Sequence, residues 1–153
     1  MEIYLSLGSN QGDRRANILA AATALENFFK VSGILSPIEE FPSWGFEAPD
    51  FLNAAMRFDI PEAGFSKELY ARALLREIHR IEDSLGRERH EIYSFEGQRI
   101  YHDRTIDIDI LYVGDLRLSS EDLTIPHPLI GERDFVKIPL SQVRNFSKDG
   151  ANS

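Results

Sequence analysis

The chain has 153 residues, 42% of them hydrophobic and 27% charged, which sets an expectation of one globular domain over residues 1–153 and argues against disorder. Its 17 Lys and Arg against 25 Asp and Glu leave a formal net charge of −8, which disfavours non-specific attraction to nucleic acid or anionic lipid but permits a local basic site. There is no cysteine, so disulfides, thiolate-bound zinc, iron–sulfur clusters and thiol nucleophiles are excluded together, and any metal must sit on carboxylate, imidazole or carbonyl groups.

No apolar run approaches the ~20 residues of a bilayer span. Met1-Glu2-Ile3-Tyr4-Leu5 enters a strand-like pattern without a basic leader, so the expected location is the cytoplasm. Ile3, Leu5 and Leu7 alternate with Tyr4 and Ser6 as in a strand, and Gly8 to Asp13 supply turn residues. Over residues 14–29, Ile18, Ala21, Ala22, Leu25 and Phe29 recur at helical spacing. A second strand is expected within 31–38, ending near Pro37, followed by a loop over 41–50 rich in aromatics, Pro and Gly. Residues 51–60 read as a third strand, although Asn53 sits there against its propensity. Ser66 caps a second helix that Gly86 stops, with Leu74, Ile78, Ile81 and Leu85 as its apolar stripe and Glu82 at the edge of that stripe. A polar loop over 87–103 precedes the clearest strand, 104–113, closed by Gly114-Asp115. Leu116 and Leu118 suggest a return strand, residues 134–143 a short last helix, and 146–153 a frayed tail. The order β-α-β-β-α-β is the ferredoxin-like split βαβ arrangement, an α+β fold with an antiparallel sheet and extra C-terminal elements. That fold alone fixes no activity.

The run Arg104-Thr105-Ile106-Asp107-Ile108-Asp109-Ile110-Leu111 carries the most chemistry. On a strand, Asp107 and Asp109 share one face with backbones about 6.6 Å apart, close enough to converge on a hard cation, or on two spaced by about 4 Å. A solvated acidic face is the plain alternative. Arg87, Arg89, Arg104 and Arg133 can clamp phosphates through paired N–H donors, or merely form weak surface pairs. His127 is braced between Pro126 and Pro128, as a ligand contact requires, although a lone histidine is more often structural. The aromatic loop with Phe51 and Asn53 can hold a flat heterocycle whose amide edge Asn reads as donor and acceptor; ordinary packing is the alternative.

In combination and in this order, these blocks resemble the 6-hydroxymethyl-7,8-dihydropterin pyrophosphokinase family of the folate pathway over essentially the whole chain. The matching pieces are Leu7-Gly8-Ser9-Asn10 with Gly12, Trp44-Gly45, Phe51-Leu52-Asn53-Ala54-Ala55 and Ile81-Glu82 with Gly86-Arg87-Glu88-Arg89. Asp103 to Leu111 and Leu123-Thr124-Ile125-Pro126-His127-Pro128 complete the set. The resemblance implies transfer of the β,γ-diphosphate of ATP to the hydroxymethyl group of the dihydropterin, with release of AMP. It implies two magnesium ions held by Asp107 and Asp109, which together with Arg87 and Arg104 form the catalytic set. Glu82, Arg87, Arg104, Ile110, His127 and Arg133 fall at ATP-binding positions. Phe41, Pro42, Trp44, Gly45, Phe51, Asn53, Tyr101 and Phe135 fall at pterin-binding positions, with Phe51 and Phe135 sandwiching the ring.

The chain departs from the family pattern at Phe41 and Ser43, where Thr and Pro are expected. It departs also at His79, where Gln is common, at Tyr101, where some relatives carry Trp, and in a lengthened 89–101 loop. Segments 41–50 and 86–103 are expected to close over bound ATP. Small-molecule substrates are the expected partners, with no nucleic acid, no membrane and no obligatory protein partner. A ferredoxin-like RNA binder, a catalytically dead nucleotide binder and a phosphotransferase for another heterocycle are the competing readings.

Overall fold

The computed structural model describes residues 1–41, 50–62, 64–86, 105–128 and 130–144. Strand β1 (Glu2–Ser9) is the hydrophobic centre of the sheet and is buried along nearly all its length. Helix α1 (Arg14–Phe29) starts where the Asp13 carboxylate accepts the Ala16 N–H at 3.1 Å, and it buries the five residues its periodicity singles out. It ends at Lys30, whose φ of 61° turns the chain out of the helix.

The second strand differs from its expected form. It is split into β2 (Ile34–Leu35) and β3 (Glu39–Phe41), both antiparallel to β4 (Phe51–Asp59). Pro37 has no N–H to give the ladder. Just before it, Ser36 both donates its N–H to Ala55 O at 2.9 Å and accepts the Ala55 N–H on its own Oγ at 2.9 Å. The side chain thus carries the pairing across the break, and the strand resumes through Phe41, which sequence reading placed in the loop. Helix α2 (Lys67–Ser84) opens with Ser66 Oγ accepting the Leu69 N–H at 3.2 Å and gives way to Gly86 at φ 87°. Strand β5 (Asp107–Val113) starts later than the expected 104: Thr105 and Ile106 are described and precede the strand. The return strand pairs elsewhere than expected: β6 (Leu118–Ser119) joins β7 (Thr124–Ile125) in a separate ribbon. Helix α3 (Asp134–Arg144) closes the described chain, and the expected 146–153 tail lies outside the described residues.

The sheet order is β2-β4-β1-β5, with β3 extending the β2 edge along β4, which is the ferredoxin-like α+β topology. Its two faces are unlike. One is apolar up to Ser9 at its end: Ile3, Leu5 and Leu7 of β1, Ala54, Met56 and Phe58 of β4, and Ile108 and Ile110 of β5 pack with the stripes of α1 and α2. Each large side chain sealed there contributes roughly 1.5–3 kcal/mol of burial. Helix α3 lies on the other face, where Val136, Leu140 and Val143 meet Tyr4, Ala55 and Leu111. Arg57 donates to the Val143 carbonyl at 3.3 Å and so satisfies one orphan acceptor at the end of that helix. A register shift between Tyr4 and Leu5 pairs Leu5 with Ile110 but Tyr4 with Tyr112, so Leu111 is the extra residue of a bulge and joins Tyr112 on the α3 side. The remainder of this second face carries Ser6, Gly8, Asn53, Asp107 and Asp109, with Phe51 beyond Asn53 on β4.

Candidate active site

Antiparallel partners share a face, so the register lays out the site directly. Asn53 of β4, Gly8 of β1 and Asp107 of β5 form one row across three strands; Ala55, Ser6 and Asp109 form the next. At a strand spacing of about 4.8 Å, Asn53 and Asp107 stand about 10 Å apart with only a glycine between them. Both aspartates are half-buried and face away from the apolar core, as their alternation predicts.

Gly8 is small for a reason visible in the structure. A Cβ built there would meet Asn53 Nδ2 at 2.7 Å and Phe51 Cδ1 at 3.5 Å, so the glycine leaves the Asn53 amide its space. Asn53 is only 4% exposed, and its Oδ1 finds no hydrogen-bond partner among the described residues. A buried acceptor left unmade costs about 1–3 kcal/mol, which a ligand donor would return. Phe51, two residues away, shares this face and pairs in register with Phe41. Phe135, in the first turn of α3, packs against the apolar cluster of the same face and carries the Arg133 guanidinium 5.6 Å from its ring centroid.

His127 approaches from the β7 side. Its N–H donates to Leu111 O at 3.1 Å, and burial first, then the positive charge of Arg133, push its imidazole pKa below the usual value while Asp107 opposes them. The ring is therefore biased toward its neutral form, between a carboxylate and a guanidinium. Glu82 is 2% exposed in the last turn of α2, and its Oε2 accepts the Ile108 N–H at 3.0 Å, between the two aspartates in sequence. Ile110 lies in the helix-side core, so its side chain faces away from the aspartates and only its main chain is left for a ligand.

Among the described residues no group of three or more His, Asp or Glu is arranged to hold a metal ion, so the two carboxylates do not make a closed protein cage. They suit a small hard cation that keeps most of its shell for water and substrate oxygens, as magnesium does. Pro42, Trp44, Gly45, Arg87, Tyr101 and Arg104, and most of the segments expected to close, lie outside the described residues. The structure does bring Asp107, Asp109, Asn53, Phe41, Phe51, His127, Arg133 and Phe135 to the second face or its rim. His79 is exposed on α2. Sequence reasoning took Gly8 as the first residue of a turn, whereas it lies inside β1, and gave Ser6 no role. The signal was a Gly and a Ser at alternate positions inside an otherwise apolar strand, which marks close approach. The burial of Glu82 carried no such signal.

Fold and site together define a ferredoxin-like α+β enzyme with paired strand carboxylates beside a buried amide. A profile of the family described as 7,8-dihydro-6-hydroxymethylpterin-pyrophosphokinase matches residues 4–145. The chain is 39% identical over 143 residues to the 2-amino-4-hydroxy-6-hydroxymethyldihydropteridine pyrophosphokinase of Porphyromonas gingivalis, covering 92% of this chain and 89% of that protein. It is 34% identical over 142 residues to the protein of the same name from Aquifex aeolicus, covering 92% of this chain and 79% of that one. It is also 36% identical over 149 residues to the mitochondrial folate synthesis bifunctional protein of Pisum sativum, a match over 97% of this chain and 26% of the longer relative. The chain belongs to the 7,8-dihydro-6-hydroxymethylpterin-pyrophosphokinase family.

Proposed function

We infer that the chain transfers diphosphate from ATP to the hydroxymethyl group of 6-hydroxymethyl-7,8-dihydropterin and releases AMP, the diphosphotransferase step of its family in folate biosynthesis. One observation carries the assignment of parts: a single register row sets the unsatisfied Asn53 amide and the Asp107 carboxylate on one face, one glycine apart. A flat donor-bearing heterocycle at the first and a cation-bound triphosphate at the second then meet over Gly8 and Ser6.

Asn53 reads the pterin amide edge, Phe51 and Phe135 stack on the ring, and Phe41 flanks it, with Pro42, Trp44, Gly45 and Tyr101 as the loop contacts. Arg87, Arg104, His127 and Arg133 take the phosphates of ATP, with Ile110 offering its main chain and Glu82 standing behind the nucleotide end. Asp107 and Asp109 would hold two magnesium ions, which would supply charge neutralisation to the transferring phosphates. The pterin hydroxyl oxygen bonds to the β-phosphorus while the bond from that phosphorus to the oxygen bridging the α-phosphate breaks. AMP leaves with the bridging oxygen, and the hydroxyl proton passes to water. The protein's share is alignment: the sheet holds both substrate ends at a fixed separation, which is where most of the rate in such transfers comes from. Among the described residues no helix is long and apolar enough to cross a membrane.

The test is nucleotide product analysis with ATP and 6-hydroxymethyl-7,8-dihydropterin, first with magnesium and then with EDTA. AMP equal to the pterin diphosphate formed, and abolished by EDTA, is the expected result. ADP as product overturns the reaction; turnover undiminished in EDTA overturns the metal assignment.

A further inference from the structure

We propose that Glu82 is a positioning residue, a carboxylate clamp on the outer edge of β5 that holds Asp107 and Asp109 in the register at which both face the site. The inference rests on the reading of those aspartates given above. It starts from an imbalance in the sheet. Among the described residues β5 pairs with a strand only on its β1 side. On the outer side its main chain is held by two groups that are not strands. The Glu82 carboxylate accepts the Ile108 N–H at 3.0 Å, and the His127 N–H donates to the Leu111 carbonyl at 3.1 Å. These two bonds bracket Asp109.

Such a strand needs holding. Aspartate is a poor strand former, and two like charges on one face repel each other. A slip of one residue would turn both carboxylates into the apolar helix-side core and expose Ile108 in their place. Glu82 occupies the turn of α2 that also buries Ile78 and Ile81, where an apolar residue would be the ordinary choice. Burying a carboxylate is costly unless it is bonded, and a charge-assisted bond to a main-chain N–H is about twice as strong as a neutral one. A helix anchored through its apolar stripe thereby fixes the edge that carries the metal-binding pair.

Three substitutions separate the bond from the charge. E82Q keeps an acceptor at the right reach without charge, E82D keeps the charge but withdraws it by one methylene, and E82A removes both. Two readouts are taken: amide hydrogen exchange at Ile108 in the metal-free protein, and steady-state kinetics with magnesium–ATP and the pterin. Loss of the charge-assisted bond predicts exchange at Ile108 faster by about tenfold or more in E82A and E82D, with E82Q, which keeps a neutral bond, between them and the parent. The same order is expected in kcat, with the pterin KM unchanged. Exchange and kcat unaltered in E82A overturn the clamp. So does E82Q impaired as deeply as E82A, which would mean that the charge acts directly on the nucleotide. Should E82A fail to fold, the contrast between E82Q and E82D decides alone. A parent protein with no turnover would sink the assigned reaction, while the exchange at Ile108 still judges the clamp.

Discussion

The two faces of the sheet are built from the same three strands and obey opposite rules. On the helix side the inward positions of β1, β4 and β5 are apolar, except for Ser9 at the end of β1, and are sealed by α1 and α2. On the other side α3 covers only the end that carries Tyr4, Ala55 and Leu111, while Ser6, Gly8, Asn53, Asp107 and Asp109 fill the rest. Because side chains alternate, each strand stores fold and function at neighbouring positions: Leu7 beside Gly8, Ala54 beside Asn53, Ile108 beside Asp107 and Asp109. The division teaches that substitutions one residue apart must fail in different ways, and that is where it is easiest to break.

The largest effect belongs to the polar face. Asp107→Ala and Asp109→Ala should each cost several kcal/mol of transition-state stabilisation, the usual worth of metal-borne charge neutralisation, measured as lost AMP release. Their thermal midpoints should change far less than their activity. A matching loss of stability would mean that the aspartates are structural. The apolar face should give the reverse signature. Leu74→Ala, a fully buried side chain on the α2 stripe, should lose about 2–5 kcal/mol of folding stability in denaturant while the pterin KM of the folded fraction stays put. A changed KM with intact stability would dissolve the distinction between faces.

Gly8→Ala tests the polar face midway between Asn53 and Asp107 and should have an intermediate effect. The added methyl meets Asn53 Nδ2 at 2.7 Å, so the amide must shift, at about 1–3 kcal/mol for an overpacked site. The cost should emerge as weaker pterin binding by calorimetry, with magnesium–ATP binding retained. Loss of ATP binding as well would place the pterin end and the phosphate end in one indivisible pocket.

What was legible in the sequence follows the same division. Periodicity announced α1, α2 and the face-sharing of Asp107 and Asp109, because a repeat of 3.6 or 2 is a local property. Ser66 and Gly86 marked the ends of α2 through capping chemistry that is equally local. The split second strand was not read, although Pro37 was seen, because its continuation depends on Ser36 Oγ reaching a β4 amide from another part of the chain. The pairing of β6 with β7 rather than with the sheet, and the apposition of Gly8 with Asn53, are registers, which no single segment encodes. Glu82 looked like the edge of a stripe because helical spacing gives its direction and not what lies there. The family motifs supplied roles for the site residues, and the structure supplied the row that joins them.

The smallest expected effect concerns His127, which sits where the polar face meets the β7 ribbon. Its pKa is lowered from 6.5 mainly by burial and then by Arg133, with Asp107 pulling the other way. Folding therefore favours the neutral ring, and the unfolded chain takes up its proton at higher pH than the folded one. The resulting stabilisation is fully present above the unfolded pKa and is lost as pH falls through it toward the depressed folded value. His127→Gln, which cannot titrate, removes that dependence. In EDTA, to keep metal binding out of the balance, the parent should lose stability relative to His127→Gln as pH is lowered below neutrality, read from paired denaturant curves. Curves that stay parallel would show that the ring is no more buried or crowded by charge in the folded protein than in the unfolded chain.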